Sequence, residues 1–179
     1  MSNTKQGDGT QITGASYLYS PWRMDYILGE KPGDCVLCRY QQLGSDAENL
    51  ILQRFDYCYI MLNRYPYNNG HLMIVPYTHT SSLTDLEAVT WQEMALLIRS
   101  TEGILQQVYR CEGINVGLNL GCAAGAGIAE HLHVHIVPRW TGDSNFMSVV
   151  CGERVIPESF ESAYARLLPE FAKLNVCKE

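Results

Sequence analysis

The chain has 179 residues, 46% of them hydrophobic and 18% charged, with a formal net charge of −6 at pH 7. That length supports one domain with a sizeable core. The acidic balance argues against broad nucleic-acid binding, which needs a basic surface, and the lack of any run of 18 apolar residues predicts no membrane-spanning helix.

The first ten residues are polar and lack the apolar core of a secretory signal. Residues 1–15 are read as a flexible arm and 16–179 as a single domain. Seven cysteines, an odd number, without an export signal point to reduced thiols and a cytoplasmic location. Cys58, Cys111, Cys122, Cys151 and Cys177 are scattered and read as small, partly buried residues. Cys35-Val36-Leu37-Cys38 differs, because two thiolates at this spacing can grip one metal ion.

In chain order, Pro21 predicts the start of a short helical turn over 21–27, and 29–33 form a loop. Residues 35–43 predict a short helix opened by the cysteine pair and broken by Gly44-Ser45-Asp46. Residues 50–54 and 57–62 read as two strands joined at Phe55-Asp56. Pro66-Tyr67-Asn68-Asn69-Gly70 is a turn cluster, and a strand follows over 71–77. Thr90-Trp91-Gln92-Glu93 has the capping-box pattern, with Thr90 as N-cap and Glu93 at N3. Met94, Leu97, Ile98, Ile104, Leu105 and Val108 then recur at helical spacing up to Arg110, with Gly113 as the stop. Residues 114–120 predict another strand, and 121–127 form a loop of glycine, alanine and one cysteine. The tail, 157–174, predicts a second amphipathic helix with Phe160, Tyr164, Leu167, Leu168 and Phe171. The order implies an α+β fold with a mainly antiparallel sheet, one long helix and a C-terminal helix.

Three of the five histidines fall in His131-Leu132-His133-Val134-His135-Ile136-Val137-Pro138. Side chains of an extended strand alternate between faces. The three imidazoles therefore share one face, and Leu132, Val134 and Ile136 share the other. Burying three imidazoles for packing alone would demand several hydrogen-bond partners, each costly if missing. A polar site is the better explanation. His71 opens the apolar run His71-Leu72-Met73-Ile74-Val75-Pro76, and His79 follows it closely. Gly121, Gly125 and Gly127, just before the histidines, let backbone N–H groups approach an anion.

These motifs resemble the histidine triad family, whose signature is His-x-His-x-His with apolar spacers. The run Asn63-Arg64-Tyr65-Pro66-Tyr67-Asn68-Asn69-Gly70-His71 through Pro76 matches the family's hairpin, and Asn119-Leu120-Gly121 resembles its Asn-x-Gly. Pro21-Trp22-Arg23-Met24, the Cys35/Cys38 pair and Pro138-Arg139-Trp140 look like the branch holding bacterial diadenosine tetraphosphate phosphorylases and related hydrolases. The resemblance implies a nucleotidyl hydrolase or transferase acting on dinucleoside polyphosphates at an α-phosphorus, with water or phosphate as acceptor. By position His133 would be the nucleophile, since a neutral imidazole is competent at pH 7 and forms a labile intermediate. His135 would contact phosphate oxygens or help the leaving group, and His71 would support the triad. Asn63 would bind a ribose hydroxyl. Asn119 with the amides of the loop, at Gly125 and Gly127, would hold phosphate.

The resemblance also implies structural zinc on Cys35, Cys38, His79 and His131, a closed tetrahedral Cys2His2 set. It implies a homodimer as well, with the long helix from Thr90 contributing to the interface. The sequence departs from the broader family in the loop. Many members carry Gln-Ser or Gln-Thr before the triad, whereas Gly127-Ile128 stands here and the loop is one residue longer. Backbone donors are then expected to hold the phosphate. Two other activities stand beside this reading: a nucleoside phosphoramidase of the same fold, and a nucleotide-binding or sensing protein with little turnover.

Overall fold

The computed structural model describes residues 35–143, 156 and 158–175. The expectations for the arm, the turn at 21–27, the loop at 29–33, Cys151, Cys177 and the start of the last helix at Pro157 lie outside the described residues. Among the described residues, the apolar runs form a five-stranded sheet: β1 (Ile51–Arg54), β2 (Cys58–Leu62), β3 (Leu72–Pro76), β4 (Gly113–Leu118) and β5 (Val134–Arg139). The strand order is β1-β2-β3-β5-β4, and every neighbouring pair is antiparallel. Three helices accompany it: α1 (Val36–Gln42), α2 (Ala88–Tyr109) and α3 (Phe160–Phe171). None is long and apolar enough to cross a membrane.

The period of two along β2 and β3 divides the protein into two cores. Cys58, Ile60, Leu62, Leu72 and Ile74 face the core formed with α2 and α3, joined there by Leu132, Val134 and Ile136. Tyr59, Met61, Met73 and Val75 face a smaller core with Ile51 and with Leu37 of α1. Both central strands are buried on both faces, which explains why they read as continuous apolar runs. Full burial of each large aliphatic side chain, such as Leu97 or Leu105 of α2, contributes about 1.5–3 kcal/mol. At the strand ends the same alternation carries Asn63 and His71 onto the α1 side, where the site lies.

The α2 helix starts two residues before the expected cap. Its N-cap is Glu87, without a side-chain bond, and Thr90 sits inside the first turn. The capping box does not form because Glu93 has stronger partners elsewhere. Its buried carboxylate accepts the N–H groups of Asp56 (3.1 Å) and Tyr57 (2.8 Å) and the thiol of Cys58 (3.1 Å). These are donors of the β1–β2 turn, and bonds to a charged acceptor are stronger than the reciprocal bonds of a capping box. The helix ends on Arg110, which adopts the left-handed conformation with φ 49°. Gly113 is therefore not the stop; it opens β4 opposite Arg139.

At the other ends, Arg54 holds the C-terminus of α1. Its guanidinium donates to the carbonyls of Tyr40, Gln41 and Leu43 and pairs with Asp46 at 2.7 Å. The α3 helix begins at its Ser159 cap, whose hydroxyl accepts the Ser162 N–H. Ala163, Leu167 and Phe171 of α3 are buried, while Phe160, named with the apolar residues of this amphipathic helix, is exposed.

Candidate active site and metal cluster

The histidine strand begins later than its sequence suggests. β5 starts at Val134, so His131, Leu132 and His133 precede it and only His135 lies in the strand. The alternation nevertheless holds through all six residues. Leu132, Val134 and Ile136 enter the helix-side core, and the rings of His133 and His135 meet edge-on at 4.7 Å. The chain is kept extended before the strand because the Leu132 N–H donates to the Thr80 carbonyl at 2.7 Å.

The partner atoms fix the proton positions of these imidazoles, because a carbonyl only accepts and an amide N–H only donates. His133 Nδ1 lies 2.9 Å from the His131 carbonyl. It must carry the proton, which leaves the lone pair on His133 Nε2. His71 Nδ1 accepts the Tyr67 N–H at 3.0 Å. His71 Nε2 therefore carries the proton and donates to His135 Nδ1, 3.0 Å away. His135 in turn carries its proton on Nε2. The site so presents one imidazole as a lone-pair donor beside another as a hydrogen-bond donor.

Burial favours the neutral form of His71 and His133. His71, with no exposed surface, is pushed down from 6.5 to about 3 by burial first, then by the neighbouring His135 and His133. Burial also lowers His133 and His131. A neutral His133 is the form that can attack an electrophile.

The four predicted metal ligands come together although up to 96 residues separate them. One ligand atom from each of Cys35, Cys38, His79 and His131 lies within 4.8 Å of all the others. Cys35 Sγ is 3.3 Å and Cys38 Sγ 3.4 Å from His131 Nδ1, and Cys38 Sγ is 3.2 Å from His79 Nδ1. Tetrahedral bonds of about 2.3 Å to sulfur and about 2.0–2.1 Å to nitrogen place ligand atoms roughly 3.5 Å apart. The observed spacings are close to those edges. His131 Nε2–H donates to the Pro76 carbonyl at 2.9 Å, which turns its Nδ1 lone pair toward the thiols. Such an outer partner orients a metal-bound histidine. Without a cation, burial and the adjacent Cys35 push the Cys38 thiol up to about 11. A divalent ion reverses that preference by binding the thiolates. The cluster fits a metal.

Asn63 is buried, accepts the Tyr65 N–H at 2.9 Å through Oδ1, and places its amide 3.4 Å from both His71 ring nitrogens. Asn119 is half-buried one residue beyond Leu118, which pairs with Val134. The register thus brings Asn119 to the level of His133. Gly121 and Gly125 adopt φ 80° and 83° around a short 3-10 turn, Cys122–Ala124, a conformation that side chains disfavour. Gly127 lies three residues beyond this turn, before the triad.

Sequence reading missed Gly117, which pairs with His135 and has nothing within 4 Å of where a Cβ would stand. It also missed the roles of the Tyr67 amide and the Pro76 carbonyl. Main-chain groups leave no residue-type signal, so only the structure reveals them.

The HIT domain matches residues 45–142. The chain is 40% identical over 165 residues to an AP-4-A phosphorylase of Mycobacterium tuberculosis, covering 87% of this chain and 84% of that protein. It is 27% identical over 92 residues to a bis(5'-nucleosyl)-tetraphosphatase [asymmetrical] of Schizosaccharomyces pombe, covering 51% of this chain and 50% of that one. Among solved structures it resembles a zinc-bound histidine triad family protein from Mycobacterium smegmatis. The TM-score is 0.61 at 25% identity, covering 78% of this chain and 94% of that one.

Proposed function

The chain belongs to the histidine triad family, and from that membership we propose that it cleaves dinucleoside polyphosphates, such as diadenosine tetraphosphate, at an α-phosphorus. The names of its relatives, a phosphorylase and a tetraphosphatase of such compounds, support the substrate class. The observation that carries the reading is the orientation of His133. The bond from its Nδ1–H to the His131 carbonyl aims the neutral Nε2 lone pair into the site beside His135.

In the proposed reaction His133 Nε2 attacks the α-phosphorus, and the bond from that phosphorus to the bridging oxygen breaks. The nucleoside monophosphate is then held on His133 and the remaining nucleoside polyphosphate departs. Water or inorganic phosphate next attacks the same phosphorus, releasing a nucleoside mono- or diphosphate and restoring His133. His135 Nε2–H, fixed by His71, donates to a phosphate oxygen or to the departing oxygen as charge develops there. Asn63 is assigned to a ribose hydroxyl, and Asn119 with the amides around Gly125 and Gly127 to the phosphates.

Cys35, Cys38, His79 and His131 are assigned to structural zinc, which when bound would close the set and fasten α1 to the first triad histidine. His131 would then take no part in phosphoryl chemistry. The chain is assigned one domain over 16–179 and a homodimeric state, through the β4 edge and the outer side of α2, where Val116, Leu96 and Trp91 are exposed. A cytoplasmic location is assigned on Cys35, Cys38, Cys58, Cys111 and Cys122, which form no disulfide.

Product analysis on diadenosine tetraphosphate with and without inorganic phosphate tests the activity. ATP is expected in both, accompanied by AMP when water accepts and by ADP when phosphate accepts. No cleavage under either condition would reject the reading.

A further inference from the structure

The turn between β2 and β3 is tied to the far end of β5 by a side chain that the reaction itself does not use. Asn68 is 6% exposed. Its amide donates to the Pro138 carbonyl at 3.0 Å and to Asp143 Oδ2 at 2.9 Å. Both amide protons are thereby engaged. Its Oδ1 accepts the Asn69 N–H at 3.1 Å, and its backbone carbonyl accepts the His71 N–H at 3.3 Å.

The anchor on the other side is itself held by several bonds. The Asp143 carboxylate accepts from Arg139 Nε (2.6 Å), Arg139 Nη2 (2.9 Å) and the Trp140 N–H (3.3 Å). Arg139 also donates to Asn115 Oδ1 of β4 at 2.8 Å. Planar, two-pronged pairing of this kind fixes geometry as well as charge. Asn68 thus joins the turn to two strands.

Next to Asn68 stands Tyr67, whose N–H donates to His71 Nδ1 and whose ring stacks on His71 at 4.8 Å and 27°. We propose that Asn68 is a positioning residue for the reaction: its bonds to Pro138 and Asp143 hold the Tyr67 amide on His71 Nδ1, and so fix the tautomers of His71 and His135. This role rests on the function assigned to His135 above. When the turn relaxes, His71 can carry its proton on Nδ1. His71 Nε2 then becomes an acceptor, His135 must offer it Nδ1–H, and His135 turns a lone pair rather than a proton toward the phosphate.

The test compares wild type with Asn68→Leu and with the smaller Asn68→Ser, the latter in case the former does not fold. Each is taken as the full chain with its metal, with native circular dichroism as the entry condition. Histidine tautomers are read from 15N shifts of labelled protein, and kcat and KM are measured on diadenosine tetraphosphate. Wild type should show single Nε2–H forms at His71 and His135. The variants should show mixed tautomers and a kcat lowered at least about tenfold with KM changed less than about threefold, as misplacing a reacting group by about 1 Å costs on the order of 10²-fold.

Single tautomers in a folded variant, whatever its kcat, would overturn the proposal. Mixed tautomers with kcat within about twofold of wild type would overturn it as well. The 15N arm needs no substrate, so a wild-type protein inactive on this dinucleotide defeats the assigned function while the tautomer shift is still decided.

Discussion

His71→Gln tests whether the buried imidazole stays neutral, on which the proton arrangement of the site depends. Glutamine keeps one acceptor for the Tyr67 N–H and one donor for His135 Nδ1, but it does not titrate. In the native protein His71 is pushed from 6.5 to about 3, by burial first and then by His135 and His133. Between those values the unfolded chain binds a proton here that the native state refuses, so this contribution to stability is present above pH 6.5 and is lost as pH falls. At about 1.4 kcal/mol per pH unit, the loss from this one group amounts to roughly 2.5 kcal/mol by pH 4.5. Burial lowers His131 and His133 in both proteins, and the cysteine–histidine cluster is the same in both, so the difference in slope isolates His71. Urea unfolding of wild type and His71→Gln from pH 7 to 4.5 reads it. The wild-type curve should fall more steeply, by close to one proton, below pH 6.5. Parallel curves, differing by less than about 0.5 kcal/mol over that span, would refute a neutral, desolvated His71.

Three further outcomes follow from the geometry. Purified protein should carry about one zinc per chain, and Cys35→Ser with Cys38→Ser should abolish it and lower the unfolding midpoint; elemental analysis of wild type showing no transition metal would reject the site. Glu93→Ala should cost roughly 1–3 kcal/mol in urea unfolding, because the Asp56 and Tyr57 amides at the exposed turn exchange a charged acceptor for water; a loss under about 0.5 kcal/mol would show that the carboxylate does not hold the turn. Gly125→Val forces a β-branched residue into φ 83° with open space around it, so turnover should fall at least about tenfold while stability changes by only about 1–2 kcal/mol. Wild-type kinetics would show that the loop's backbone does not hold the phosphate.

The sheet and the site differ in how much of each is visible in the chain. Period-two alternation around Leu132, Val134 and Ile136 put three apolar groups in one core and three imidazoles opposite them, although only His135 proved to lie in a strand. Hydrophobic period survives such changes of boundary because burial, rather than the ladder of hydrogen bonds, sets which way side chains turn. The capping box at Thr90 failed for the opposite reason. Its four residues fit a local rule, but Glu93 meets the β1–β2 turn, 36 residues away, only once the sheet has formed. Arg110 ends α2 in a left-handed conformation that glycine usually takes, so Gly113 was the natural but mistaken choice. The clustering of Cys35, Cys38, His79 and His131 was legible through the family pattern and not through spacing. The tie from Asn68 to Asp143 spans 75 residues, and neither residue type announces the other.

The central claim is that His133 carries the nucleotide. Full-length protein in excess over diadenosine tetraphosphate, quenched in acid-sparing conditions within one turnover and analysed by intact mass and peptide mapping, tests it directly. The account predicts a transient adduct of one AMP residue on His133, absent in His133→Asn, which should still bind the substrate. An adduct on any other residue, or turnover of His133→Asn at a rate near wild type, would contradict it.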